Sequence, residues 1–327
     1  MSISNLASSP IPASSGQVQN TSDVRAVETQ DISQQSSDPK PAIDNKTGYF
    51  YAPFVSDDVL KMVSGANLSR FTASKELRPL IVATNADKAR FEALKHELAE
   101  QNYKEAGDLV SGFNSYMAAN DLSETGFITA VGPIKFEDML KAASDHAWRA
   151  DALLRVKVIS NEETGILGNL KREEDKLYIA GHGRQGEDGI TSKTGSEEKG
   201  WEVAWSKDIA KQLAQGGLDK SFSDIRVTSC FSADARIPKS FAPEDLKAAS
   251  ETKTTSFLFF EVEREQSFAQ SLANDLKKAG FEQPEVSGYH GLGKVFSGDT
   301  HQYRALGEAD GAETVRSSSV REVFIPV

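Results

Sequence analysis

Two residues of this chain stand where side-chain chemistry is possible. One is His182, in the stretch KLYIAGHGRQGEDG over residues 176–189. The other is Cys230, the only cysteine, which closes DIRVTSC over residues 224–230. Each directly follows a short apolar run that reads as a buried strand. In an open α/β sheet, ligands gather outside the carboxyl ends of the strands. Neighbouring strands lie about 4.8 Å apart, or twice that with one strand between, so both side chains can face one crevice. A thiolate there is a nucleophile. A histidine beside it raises the thiolate fraction or passes a proton to a leaving amine. Gly181 and Gly183 let a substrate backbone come close, and the N–H groups of Gly183 and Cys230 are candidate oxyanion donors. The plainer alternative is that a lone cysteine at a strand end is a small buried hydrophobe. Among His96, His146, His182, His290 and His301, however, only His182 lies between glycines just after a strand. One cysteine and scattered histidines lack the spacing of a metal site, and there is no G-x-S-x-G elbow of a serine hydrolase.

Several elements must hold these two residues in place. Leu80–Thr84, LIVAT, reads as a buried strand. DKARFEALKHELAEQ after it has a strongly helix-forming composition, with Asn85 or Asp87 as its cap. Residues 102–150 are expected to be mostly helical, with a weak strand candidate at Phe127–Val131. LRVKVIS over 154–160 is a strand by alternation, and KLYIA is the strand before the histidine. EVAWSKDIAKQLAQGGL reads as a helix ending at Gly216-Gly217, Ile225–Thr228 as a strand and SFAQSLANDLKKAG as an amphipathic helix with a glycine stop. Pro284–Gly291 is a further strand. This alternation predicts an α/β fold, a mostly parallel sheet flanked by helices. GYFYAPF, ahead of it all, reads as an aromatic lead-in followed by short helices around Asp57–Ser64 and Asn67–Glu76.

With 327 residues, 39% of them hydrophobic, the chain can bury a sizeable core. A net charge of −11 disfavours nucleic acid and anionic membranes as main partners. No apolar run is long enough for a membrane-spanning helix. Residues 1–45 are rich in Ser, Gln, Asn and Pro and nearly free of aromatic or large aliphatic side chains. Such a segment is expected to be disordered, either as a plain tail or as the uncharged, Ser-rich leader of a type III secreted bacterial effector. It has no apolar h-region of a Sec signal peptide. The division expected is a leader over 1–45, a helical and aromatic lead-in over 46–77, and one domain over 78–327 with a helical insertion at 102–150.

KLYIAGHGRQGEDG followed by DIRVTSC resembles the histidine and cysteine motifs of clan CD cysteine peptidases, the caspase–gingipain–haemoglobinase group. Within that group it resembles the inositol-hexakisphosphate-activated protease domains of MARTX and large clostridial toxins, and effector proteases of the OspB type. The resemblance spans roughly residues 78–306 and implies a caspase-like sheet with a β-flap, here Gly293–Leu306. It implies a Cys230–His182 dyad in a cysteine endopeptidase and an acidic residue after the first strand to orient the histidine. With LIVAT as that strand, the acidic residue is Asp87. It further implies an inositol hexakisphosphate site, matched here by Lys176, Arg184, Lys294 and Arg304. A protein of this kind is secreted, works in the host cell cytoplasm on a host protein substrate, and can carry a secretion chaperone on its N-terminal region. Two other readings stay open: a non-catalytic host-protein-binding effector on the same fold, and a Cys-His acyltransferase or amidase.

Overall fold

The computed structural model describes residues 46–194, 200–257, 260–294, 302–309 and 312–327. The expected leader lies outside them. The described chain begins with β1 (Thr47–Tyr51), α1 (Asp57–Thr72) and β2 (Leu80–Val82). A helical stretch follows, α2 (Asn85–Ala119), α3 (Glu124–Val131) and α4 (Pro133–Arg155), and leads into β3 (Val158–Ser160). Two single turns, α5 (Asn161–Thr164) and α6 (Ile166–Asn169), precede β4 (Asp175–Ile179). Next come β5 (Gly189–Thr191), β6 (Val203–Trp205), α7 (Ser206–Gln215) and β7 (Asp224–Val227). After α8 (Pro243–Ser250), the hairpin β8 (Lys253–Phe257) and β9 (Phe260–Glu265) runs into α9 (Phe268–Lys278) and β10 (Glu285–Tyr289). The chain closes with β11 (Leu292–Lys294), β12 (Tyr303–Ala305), β13 (Thr314–Arg316) and β14 (Arg321–Phe324).

Seven of these strands form the central sheet, in the order β14-β10-β7-β4-β1-β2-β3. All its pairings are parallel except that of β14 with β10. The expected mostly parallel α/β sheet flanked by helices is therefore present. One face is apolar because strand residues alternate: Leu177, Ile179, Ile225, Val227 and Val286 are all fully buried. Against them lie Ile209, Ala210 and Leu213 of α7, and Leu272, Ala273 and Leu276 of α9, in one core cluster. α9 starts where Ser267 Oγ accepts the Gln270 N–H, and Lys277 and Lys278 face the negative end of its dipole.

Several expectations need correcting. Residues 46–77 are not a lead-in, since β1 sits inside the sheet between β4 and β2. Phe50, Tyr51 and Phe54 of the aromatic cluster belong to the core. The two short helices expected over 57–76 are one helix, α1. Phe127–Val131, a weak strand candidate, lies in α3, where Phe127 packs edge-on to Phe136 at 5.8 Å. Val203–Trp205 is a strand rather than the first turn of α7. Leu154 and Arg155 finish α4 instead of opening β3. No helix among the described residues is long and apolar enough to cross a membrane.

Candidate active site

β4 and β7 are adjacent and parallel, with Ile179 opposite Val227 as the last paired residues. His182 and Cys230 each come three residues beyond that pair, so the two are level at the C-terminal edge of the sheet. Their loops touch. A Cβ on Gly183 would lie 2.7 Å from the Cys230 carbonyl oxygen and 2.7 Å from Ser229 Oγ, so only glycine allows this approach. Cys230 is partly exposed. The next residue, Phe231, has φ of 52°, a conformation L side chains adopt rarely. This costs energy that a fold retains when it holds a side chain at a sharp turn, as nucleophiles often require. Among the described residues, neither the Gly183 nor the Cys230 N–H has an acceptor within the chain. Both remain available as oxyanion donors.

The histidine is fixed from two sides. Its backbone forms a bridge to Thr191, donating to and accepting from it at 2.9 Å each way. Its ring Nε2 lies 3.2 Å from Asp58 Oδ2. A proton on Nε2 donates to that carboxylate, which fixes the orientation of the ring. Asp58 is held in turn by the first turn of α1. Ser56 caps this helix by accepting the Asp58 N–H at 3.1 Å, and its hydroxyl donates to the Ser192 carbonyl at 2.6 Å. That last bond ties the helix start to the loop that carries the His182 bridge. Lys61 also reaches Asp58, at 3.2 Å.

Asp87, the acidic residue expected beside the histidine, lies elsewhere in the network. It sits in the first turn of α2, where Thr84 Oγ1 accepts its N–H and donates to its carboxylate at 2.8 Å. The carboxylate facing His182 is that of Asp58. The signal in the sequence is the Ser56-Asp57-Asp58 helix cap, separated from GYFY by four residues, and it points to the histidine only once GYFY is a central strand.

The four basic residues assigned to an inositol phosphate do not form one set. Arg304, on β12, is 3% exposed, and its guanidinium donates to the Ser229 carbonyl at 3.0 Å, Thr228 at 3.0 Å and Gly291 at 3.3 Å. Burial depresses its basicity. It braces the cysteine turn from below and is not presented to a ligand. Lys294, on β11, reaches the Glu308 carbonyl at 3.4 Å, and Arg184 is exposed in the loop after His182. Lys176 is buried near the other end of β4, about 20 Å of strand from His182. There it shares a sheet face with Tyr178. Arg78 lies over the Tyr178 ring, its guanidinium carbon 4.9 Å from the centroid, with Arg226 at 5.7 Å. Arg78 Nε is buried without a hydrogen-bond partner among the described residues. Burial and the positive charge of Arg78 both lower the basicity of Arg70 nearby. Arg226 pairs with Asp224 at 2.7 Å. Positive charge is therefore gathered around Tyr178, in a set that overlaps the expected one only at Lys176.

The hairpin expected over Gly293–Leu306 is present as β11 and β12, joined by β13 into a small antiparallel sheet. Residues 295–301 of it lie outside the described residues. Its first strand meets the cysteine directly, with the Gly293 N–H 3.2 Å from Cys230 Sγ. The fold and site thus define an α/β protein with a cysteine and a histidine at the carboxyl ends of adjacent parallel strands. Compared with known protein families, curated proteins and solved structures, the chain finds no match.

Proposed function

We propose that this chain is a secreted bacterial effector cysteine endopeptidase of the caspase-like class, cutting a host protein with a Cys230–His182 dyad. One observation carries the reading: His182 and Cys230 stand level past adjacent strands, with Gly183 packed on the cysteine backbone. In the proposed reaction Cys230 Sγ bonds to the scissile carbonyl carbon. The carbonyl electron pair moves onto oxygen, to which the Gly183 and Cys230 N–H groups donate hydrogen bonds. Each such donor is worth about 2.7–4 kcal/mol in the transition state. His182, having taken the Cys230 thiol proton, passes it to the leaving amine as the C–N bond breaks. Water, giving a proton to His182, then attacks the thioester carbon; the C–S bond breaks, the acid leaves and the proton returns to sulfur. Asp58 keeps the ring oriented and stabilises the imidazolium.

The activator reading rests on the resemblance and on the basic cluster. The half-buried Arg70 and Arg78 would hold inositol hexakisphosphate, whose phosphates suit guanidinium forks, with the buried Lys176 and Arg226 adding positive charge beside them. When bound, it supplies dense negative charge that orders this face of the sheet. The secreted, host-cytosol setting and a secretion chaperone rest on the resemblance and on the composition of residues 1–45.

The test uses the full chain, a degenerate peptide library and mass spectrometry. Cleavage by wild type and none by Cys230→Ala is expected. Cleavage by both variants, or by neither with or without inositol hexakisphosphate, overturns the peptidase reading; the second result favours a binding effector. In parallel, inositol hexakisphosphate at one hundred times its Kd should stabilise the fold by about 2.7 kcal/mol. That shift should disappear in Arg78→Ala. A shift that persists there, or is absent from wild type, removes the activator assignment.

A further inference from the structure

His290 and Asp234 lie behind the cysteine turn and play no part in the proposed chemistry. Asp234 is fully buried and His290 is 2% exposed. His290 Nδ1 is 2.6 Å from Asp234 Oδ1, and Nε2 is 3.0 Å from Glu322 Oε2. A carboxylate only accepts, so a neutral imidazole would satisfy one of these contacts and oppose the other; the imidazolium satisfies both. Glu322 is itself held by Ser250 Oγ at 3.1 Å.

Asp234 joins three parts of the site. Its N–H donates to the Phe231 carbonyl at 2.9 Å, closing the turn that follows Cys230. Its Oδ2 accepts the Gly291 N–H at 2.9 Å. Gly291 in turn accepts from Phe231 N–H at 2.9 Å and from Arg304, and two residues on is Gly293, whose N–H meets the sulfur. The Asp234 carbonyl accepts the Gly186 N–H at 2.9 Å, from the loop that leaves His182. One buried carboxylate therefore ties the cysteine turn to the flap root, and its backbone ties that turn to the histidine loop.

We infer that Asp234 and His290 are positioning residues of the Cys230–His182 centre, a buried ion pair that holds the two reactive loops in register. The inference rests on the dyad reading of the site. It fits the chemistry around the pair: Arg304 faces Asp234 from the flap, Glu322 faces His290 from β14, and His182 and Cys230 both hang from segments that Asp234 bonds. Burial pushes the imidazolium down, and the two carboxylates more than offset this, raising His290 to about 9.

The test is a double-mutant cycle read with iodoacetamide at pH 7. The sulfur displaces iodide, forming S–C as C–I breaks, and the single cysteine makes the adduct count unambiguous by intact mass. In the wild-type background His182→Ala should slow alkylation about tenfold or more. In the Asp234→Asn background the same change should slow it less than about threefold, because the loops are no longer in register. An equal effect in both backgrounds overturns the positioning role and leaves the dyad standing. No effect of His182→Ala in wild type removes the dyad, and the inference with it. His290→Gln repeats the cycle if Asp234→Asn fails to fold. ¹⁵N spectra of the wild-type histidines supply a check that needs no variant: one ring should carry protons on both nitrogens at pH 7.5, and its absence contradicts the pair.

Discussion

Among the described residues, two histidine–carboxylate pairs stand at the same edge of the central sheet, built to opposite ends. His182 and Asp58 are 3.2 Å apart with about a quarter of each side chain exposed, 23% and 25%. His290 and Asp234 are 2.6 Å apart and sealed, at 3% and 0%. Among the described residues, the open histidine has one carboxylate, on Nε2. The sealed one has carboxylates on both nitrogens. The same residue types thus give a part-exposed, oriented ring or a fixed buried charge, depending on solvent access and on how many acceptors surround the ring.

The comparison is broken most severely at the open pair. His182→Ala should lower turnover by about a thousandfold or more, with circular dichroism unchanged, because the ring is partly exposed and lies outside the hydrophobic core. Next comes the sealed pair. Replacing His290 by Leu leaves the buried Asp234 carboxylate facing an apolar side chain, with the part-exposed Glu322 beside it, and should cost about 3–5 kcal/mol of stability in urea unfolding. The same substitution at His182 should cost less than about 1 kcal/mol.

The pH dependence of stability separates the pairs without mutation. His290 is raised to about 9 from its ordinary 6.5. The folded state therefore holds a proton that the unfolded chain releases earlier. That stabilisation is complete below pH 6.5 and drains away as the pH rises through 9, by at most about 3 kcal/mol. Melting curves between pH 6 and 9.5 should show the loss in wild type and not in His290→Gln. Smaller still is the contrast between the two acidic residues. Asp58→Asn should lower turnover about tenfold to a hundredfold by letting the His182 ring turn. Asp87→Ala should leave turnover within about twofold and cost about 0.5–1 kcal/mol of stability as a lost helix-start contact.

Much of this arrangement was legible in the residues, and the gaps have physical causes. Apolar runs closed by glycine or cysteine gave away β4 and β7, because buried parallel strands tolerate little else. β1 was hidden: TGYFY is short, aromatic and adjoins a low-complexity stretch, so nothing local marks it as the middle of a sheet. Missing β1 shifted the first strand to Leu80 and moved the acidic partner from Asp58 to Asp87. Arg304, an inositol-phosphate ligand by the resemblance, is instead held by the carbonyls of Thr228, Ser229 and Gly291, which only the path of the flap reveals. The sealed pair has no sequence signal either. Asp234 and His290 are 56 residues apart and meet only because the turn after Cys230 lies across the end of β10.

The central claim is that Cys230 and His182 act together as a nucleophile and its proton carrier. It is tested most directly by the rate at which a peptidyl acyloxymethyl ketone modifies the intact protein at neutral pH, followed by mass. The account predicts a single adduct on Cys230 in wild type, slowed at least about tenfold in His182→Ala and in Gly183→Ala, where a new Cβ would meet the cysteine carbonyl at 2.7 Å. Equal rates in wild type and His182→Ala, with both proteins folded, would contradict it.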